Sequence, residues 1–324
     1  MSDIFKVVLI GAGNIGSRHA QALMKLERAL DITVFDVSEA SLSVCKVRIE
    51  EIARGNHKTA ANYITDSGQL PGNADLAIVA TSSGHRLVSL EKLLSATRCK
   101  CIILEKFLFP TKEEYKQAEL LLQQQKDIRV YVNCVKRMFD AYQFVKKKLD
   151  AIDGKIKMSL KGNNWGLAGN AVHYIDLFAY LADEDQLTIS LTETPFSEIV
   201  ESKREGYIEL LGECKVLSSR GDEASIVSAP GEYKEIECRI EKGGKEFLII
   251  ELGSTIEVII DNEKTVFDYP FQSLLTKQYA EELLVKGKIS LTEYKISADQ
   301  HLKFLDAAEE FIRTKKYNKE WKIT

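Results

Sequence analysis

Short apolar runs recur through the first 132 positions, and longer stretches with apolar residues every third or fourth place separate them. Lys6-Val7-Val8-Leu9-Ile10 is the first run, and 31–35, 75–80, 101–104 and 128–132 repeat its character. Runs apolar on both sides predict strands covered on both faces, as in a parallel sheet between helices. The intervening stretches predict helices over 40–54, 87–96 and 112–125. Beyond residue 155 strands follow one another instead, over 157–160, 187–191, 207–211, 236–240, 247–252 and 256–260. Lys242-Gly243-Gly244-Lys245 and Asp261-Asn262 mark tight turns between them, which implies an antiparallel sheet. Helices are predicted over 141–149, 170–181, 273–285 and 297–313. The helix over 170–181 is apolar almost all round, and its exceptions, His173, Asp176 and Tyr180, fall on one face.

Composition narrows the picture by exclusion. At 324 residues the chain can form two domains with substantial cores. A formal charge of -4 argues against a nucleic-acid surface, and the short lysine runs read as solvated helix faces. The absence of a leader or a long apolar run predicts no membrane partner and a cytoplasmic location. Six scattered cysteines without a C-x-x-C pair predict reduced, buried thiols and no metal site.

The first turn carries the most specific chemistry. Gly11-Ala12-Gly13-Asn14-Ile15-Gly16 follows a buried strand and opens a helix. Gly11 permits the sharp turn, Gly13 allows close approach of a pyrophosphate, and Gly16 lets helix and strand pack closely. The phosphates would sit on free N–H groups at the helix start. The next strand ends in Asp36, at the spacing expected for a carboxylate that binds an adenosine ribose. That carboxylate repels a 2′-phosphate, and Val37-Ser38 bring no cation to offset it, so the site favours NAD over NADP. The fold class is therefore α/β: an N-terminal Rossmann dinucleotide-binding domain over 1–133, and a C-terminal α+β domain over 134–324 with an open, largely antiparallel sheet.

Later strand ends add candidates. Thr81 and His85 follow the strand 75–80 and face the cofactor side; for His85 a surface position is an equal alternative. Glu105-Lys106 ends the strand 101–104, where an amine would lie beside a nicotinamide and, partly desolvated, would exchange a proton near neutral pH. A surface Glu-Lys pair is the alternative for these two residues taken alone. His173 reads either as a site residue or as a core histidine paired with Asp176. Trp165, Tyr174, Tyr207 and Arg220 could each meet a ligand or simply pack.

These features, in order, resemble the Gfo/Idh/MocA oxidoreductases over nearly the whole chain: Gly11 to His19, Thr81 to His85, Glu105-Lys106, Val135-Lys136-Arg137, His173-x-x-Asp176 and a terminal helix. The resemblance implies cofactor contacts from Gly11, Gly13, Asn14, Ile15, Gly16, Asp36, Thr81, His85 and Glu105. It implies Lys106 as the catalytic lysine and His173 as the histidine that helps deprotonate a substrate hydroxyl. Arg137, Trp165, Asn170 and Asp176 complete the expected substrate site. The implied substrates are sugars, polyols, inositols or sugar nucleotides, and the implied assembly is a homodimer or homotetramer through the C-terminal sheet. Two positions depart from the family pattern. Phe107 stands where a proline is usual, and Gly169 stands where an aspartate often precedes the histidine by one helical turn. Gly169 keeps two alternatives open: a cofactor-binding regulator without turnover, and an enzyme that recycles bound NAD internally.

Overall fold

A computed structural model describes residues 4–202, 205–317 and 319–323. The chain divides into two compact units, Met1–Asn133 with Phe271–Tyr294, and Cys134–Pro270 with Lys295–Thr324. In chain order the first stretch comprises β1 (Phe5–Ile10), α1 (Asn14–Met24), β2 (Leu30–Phe35), α2 (Glu39–Glu50), β3 (Ala60–Ile64), β4 (Asn73–Ala74), β5 (Leu76–Val79), α3 (Ser83–Ala96), β6 (Arg98–Cys99), β7 (Cys101–Leu104), α4 (Lys112–Gln123) and β8 (Arg129–Val132). The second comprises a 3₁₀ turn (Val135–Met138), α5 (Asp140–Leu149), β9 (Lys157–Asn163), α6 (Leu167–Ala182), β10 (Leu187–Thr192), β11 (Glu198–Glu201), β12 (Ile208–Ser218), β13 (Glu223–Ala229), β14 (Ile236–Lys242), β15 (Lys245–Glu251), β16 (Thr255–Ile260) and β17 (Glu263–Asp268). Then α7 (Gln272–Lys286), β18 (Thr292–Glu293) and α8 (Tyr294–Thr314) follow.

The first unit is built on a seven-stranded sheet of order β18-β8-β7-β5-β1-β2-β3. All neighbours are parallel except β18, which joins β8 antiparallel. Every residue of β5 and β7 is buried, as the unbroken apolar runs require. Two expectations need adjustment. β3 was not anticipated: its sequence, Ala-Ala-Asn-Tyr-Ile, lies at the sheet edge and is only half-buried, so no apolar run announces it. α3 starts at Ser83, with Ser82 in extended conformation before it, so His85 stands in the first turn of a helix.

The second unit is built on a nine-stranded sheet of order β10-β12-β13-β9-β14-β15-β16-β17, with β11 also on β12. One pair, β9 with β13, is parallel and the rest are antiparallel. Both predicted turns are present, with Gly243, Gly244, Asp261 and Asn262 all at positive φ. β13 escaped prediction because its inward positions are Ala224, Ile226 and Ser228, a weak apolar signal. α6 packs on β12 and β13, and α5 on β16 and β17. All six cysteines are buried free thiols. Among the described residues, no helix is long and apolar enough to cross a membrane.

Candidate active site

The glycine turn is shaped as its sequence demands. Gly11 has φ +94°, and a Cβ there would lie 3.0 Å from the backbone of Ala80 and Thr81. A Cβ on Gly16 would lie 1.8 Å from the Gly11 carbonyl oxygen, so only glycine lets α1 start so close to β1. Gly13 differs, because a Cβ there would meet nothing within 4 Å. It precedes α1 with no side chain capping the helix, which leaves the first-turn N–H groups available to an anion. Asp36, at the end of β2, accepts the Ala12 N–H at 2.7 Å on Oδ2 and the Ser38 N–H at 2.9 Å on Oδ1. A carboxylate has about four lone-pair positions, so two remain for ribose hydroxyls. Asn14 and Ser17 are tied to Arg48 of α2, which donates to Ser17 Oγ at 2.6 Å and Asn14 Oδ1 at 3.3 Å. Ile15 is 46% exposed beside them.

The ends of β5 and β7 complete the row. Thr81 has its Oγ1 buried with no hydrogen-bond partner among the described residues, a group suited to meet a ligand. His85 is exposed and its Nδ1 lies 3.0 Å from Ser82 Oγ. The open side of Gly13, the uncapped α1 terminus, the half-committed Asp36 and the buried Thr81 hydroxyl together fit a dinucleotide.

Glu105 and Lys106 part company. Glu105 is buried, and its Oε1 accepts from Asn133 and lies 2.9 Å from His19 Nε2. Burial pushes its carboxyl up, but the His19 and Asn133 hydrogen bonds and the Arg86 charge outweigh that and hold it below the ordinary value. Oε1 of Glu105 is thus engaged by His19 and Asn133. His19 is fully buried, with Nδ1 2.8 Å from Thr276 Oγ1 and 3.2 Å from the Tyr279 hydroxyl on α7. Lys106 is half-buried, and its peptide bond to Phe107 is cis. Arg86, from α3, donates to the carbonyls of Phe107, Leu108 and Thr81. The sequence offered no sign of the roles of His19, Arg48 or Arg86, since each partner is distant or is main chain.

In the second unit the expected substrate residues sort differently. Arg137 forms a two-pronged pair with Asp176, Nε to Oδ2 at 2.8 Å and Nη2 to Oδ1 at 2.9 Å, and lies 5.2 Å from the Tyr180 ring centre. The polar stripe of α6 is therefore met by Arg137, and Asp176, fully buried, is turned to that arginine. Trp165 is 8% exposed; its indole N–H donates to the Val227 carbonyl at 2.8 Å and its ring packs edge-on against Tyr174. The one polar group of the indole is thus engaged within the second unit. Asn170 donates to the Trp165 carbonyl at 3.0 Å. His173 is half-buried on α6. One turn before it, the Gly169 N–H donates to Glu209 Oε1 at 2.8 Å, so β12 delivers a carboxylate to the first turn of the helix. Lys136 is buried, 2.5 Å from Glu251 and within 5.0 Å of the Phe139, Tyr174 and Tyr269 ring centres. Burial alone would lower its ammonium pKa, but Glu251 and Tyr269 hold it above the ordinary value. Among the described residues no group of three or more His, Cys, Asp or Glu is placed to hold a metal.

Comparison with known proteins bears on the fold and its cofactor. No curated protein sequence matches the chain significantly. Among solved structures, myo-inositol dehydrogenase from Lactobacillus casei, in complex with NAD(H) and myo-inositol, is 18% identical with a TM-score of 0.70, covering 99% of this chain and 97% of its own. An oxidoreductase from Agrobacterium radiobacter, in complex with NAD+, L-tartaric acid and magnesium, is 17% identical at TM-score 0.70, covering 97% of each chain. The transcriptional regulator Gal80p from Kluyveromyces lactis is 12% identical, also at TM-score 0.70, covering 97% and 93%. At such identities the likeness establishes the fold. The sequence of residues 5–134 itself matches the family model GFO_IDH_MocA, described as an oxidoreductase family with an NAD-binding Rossmann fold. Over residues 5–134 the chain is thus similar to the Gfo/Idh/MocA oxidoreductases, as an NAD-binding Rossmann domain.

Proposed function

We propose that this protein is an NAD-dependent dehydrogenase or reductase acting on a carbohydrate-like alcohol or ketone, such as a sugar, an inositol or a sugar nucleotide. The observation that carries this reading is Lys106 at the carboxyl end of β7, in the same row of strand ends as the glycine turn, Asp36 and Thr81. Ligands of open α/β sheets lie along that row.

When bound, NAD supplies the hydride donor or acceptor. The chain's own residues have simpler tasks. The first-turn amides of α1 hold the pyrophosphate, and Asp36 holds the ribose hydroxyls. Lys106 takes the hydroxyl proton at its Nζ and, once protonated, stabilises the developing oxyanion; His173 is the residue of the second unit that the family resemblance assigns to deprotonating the substrate. The likeness to an inositol dehydrogenase puts polyols first among compounds to try. A second copy of the chain would pair through the open sheet, where Lys215 and Leu217 of β12 are exposed.

Gly169 favours a second reading, a cofactor-binding regulator of the same fold. One experiment separates the two. Purified protein is incubated anaerobically with NAD and a panel of sugars, inositols and sugar nucleotides, and nicotinamide reduction is followed by absorbance beside a Lys106→Ala control. Turnover that falls by about 10²–10⁴ in the variant, with NAD affinity retained, supports the dehydrogenase. Tight NAD binding with no reduction by any panel member supports the regulator, or an enzyme that recycles its NAD internally.

A further inference from the structure

Arg86 is among the largest fully buried side chains in the chain, at 2% exposure. Taking a guanidinium out of water costs several kcal/mol unless its donors are used. Among its partners are three main-chain carbonyls: Nη1 donates to those of Phe107 and Leu108, the latter at 2.9 Å, and Nη2 donates to that of Thr81. Those carbonyls belong to two loops, one leaving β5 and one leaving β7, and the two strands are neighbours in the sheet. The first loop carries Thr81 and the second carries Lys106, directly before Phe107. A planar fork of five N–H groups can span three separated carbonyls, whereas a lysine carries its donors on a single atom.

We infer that Arg86 is a positioning residue, a staple that holds the loops after β5 and β7 as one rigid rim and so fixes the main chain at Lys106 relative to Thr81. Its catalytic meaning rests on the role proposed for Lys106; its structural meaning does not. A misplacement of about 1 Å in a reacting group can cost about 10²-fold in rate. Arg86 therefore acts on turnover through Lys106 without touching substrate.

The test uses the full chain with Arg86→Lys and Arg86→Ala. Three quantities are read: amide hydrogen exchange in peptides covering 79–84 and 105–110, NADH affinity by fluorescence titration, and turnover of whichever panel compound the wild type uses, with and without added guanidinium. Exchange is expected to rise in both loops together while peptides of β1 stay protected. NADH affinity should weaken by less than about tenfold. kcat should fall about 10²-fold with KM for the carbohydrate nearly unchanged, and guanidinium should restore Arg86→Ala but not Arg86→Lys. Exchange rising across the whole sheet, or in one loop only, would overturn the staple, as would a variant with unchanged loops. If Arg86→Ala does not fold, exchange and NADH affinity in Arg86→Lys decide the matter. If the wild type turns over nothing, the proposed function fails while those two readouts still judge Arg86.

Discussion

At the scale of single residues, His19 and Glu105 teach the most. In the sequence, His19 is one more helix residue after a glycine loop and Glu105 is the acid beside a candidate lysine. In the structure they meet in the interior, and Asn133, Thr276 and Tyr279 close around them. Because the folded carboxyl of Glu105 lies below its ordinary value of 4.5, the pair adds stability that is fully present above about pH 5. That contribution is lost as pH falls through the depressed folded value. Glu105→Gln should therefore unfold more easily at pH 7, by about 1–3 kcal/mol, through loss of the charge-assisted bonds. Urea titrations of both proteins between pH 7 and pH 3 should show the gap closing on the acid side. A gap independent of pH would mean that the Glu105 carboxyl titrates alike in the folded and unfolded chain, and a gap widening on the acid side would mean that folding raises its pKa.

At the scale of elements, the β1–α1 turn separates fold from function. Gly16→Ala forces a Cβ onto the Gly11 carbonyl, and overpacking of that kind costs about 1–3 kcal/mol or more. Gly13→Ala meets open space and ordinary φ, so its melting temperature should stay near wild type. NAD affinity should nonetheless fall at least about tenfold in Gly13→Ala, since the methyl occupies ground the pyrophosphate needs. Thermal melts beside NAD titrations distinguish the two; a Gly13→Ala chain that binds NAD normally would remove the turn from the cofactor site. This turn was legible because backbone geometry itself restricts the residues allowed there. The strands β1, β5 and β7 were legible for a related reason, burial on both faces. β3, β11, β13 and β17 were not, since edge positions, short length or small inward residues leave no periodic trace. The same limit applies in the site. Lys106 and Asp36 are marked by where strands end, but Arg86 acts on carbonyls, which every residue has. Trp165 could be read either as a ligand contact or as packing, because composition cannot tell which way an indole turns.

At the scale of the whole molecule, chain order and spatial order disagree. Phe271–Tyr294 groups with Met1–Asn133, bringing α7 against α1 and β18 to the edge strand β8. The fragment 1–133 should therefore be deficient by itself, with His19 lacking Thr276 and Tyr279 and the α1 face uncovered. Joining 271–294 to it through a flexible linker should restore a cooperative melt and NAD binding. Equal stability of the fragment with and without that segment would make α7 an accessory.

The same arrangement has a consequence during synthesis. A ribosome adding about 5–20 residues per second needs roughly 8–30 s to go from residue 133 to residue 294. Throughout that interval a nearly complete nucleotide fold stands outside the exit tunnel with one helix missing and its buried histidine open to water. Nascent chains of this protein should carry a chaperone-sensitive period that ends when α7 emerges. Moving that helix forward in the gene by circular permutation would shorten the period without altering the finished molecule.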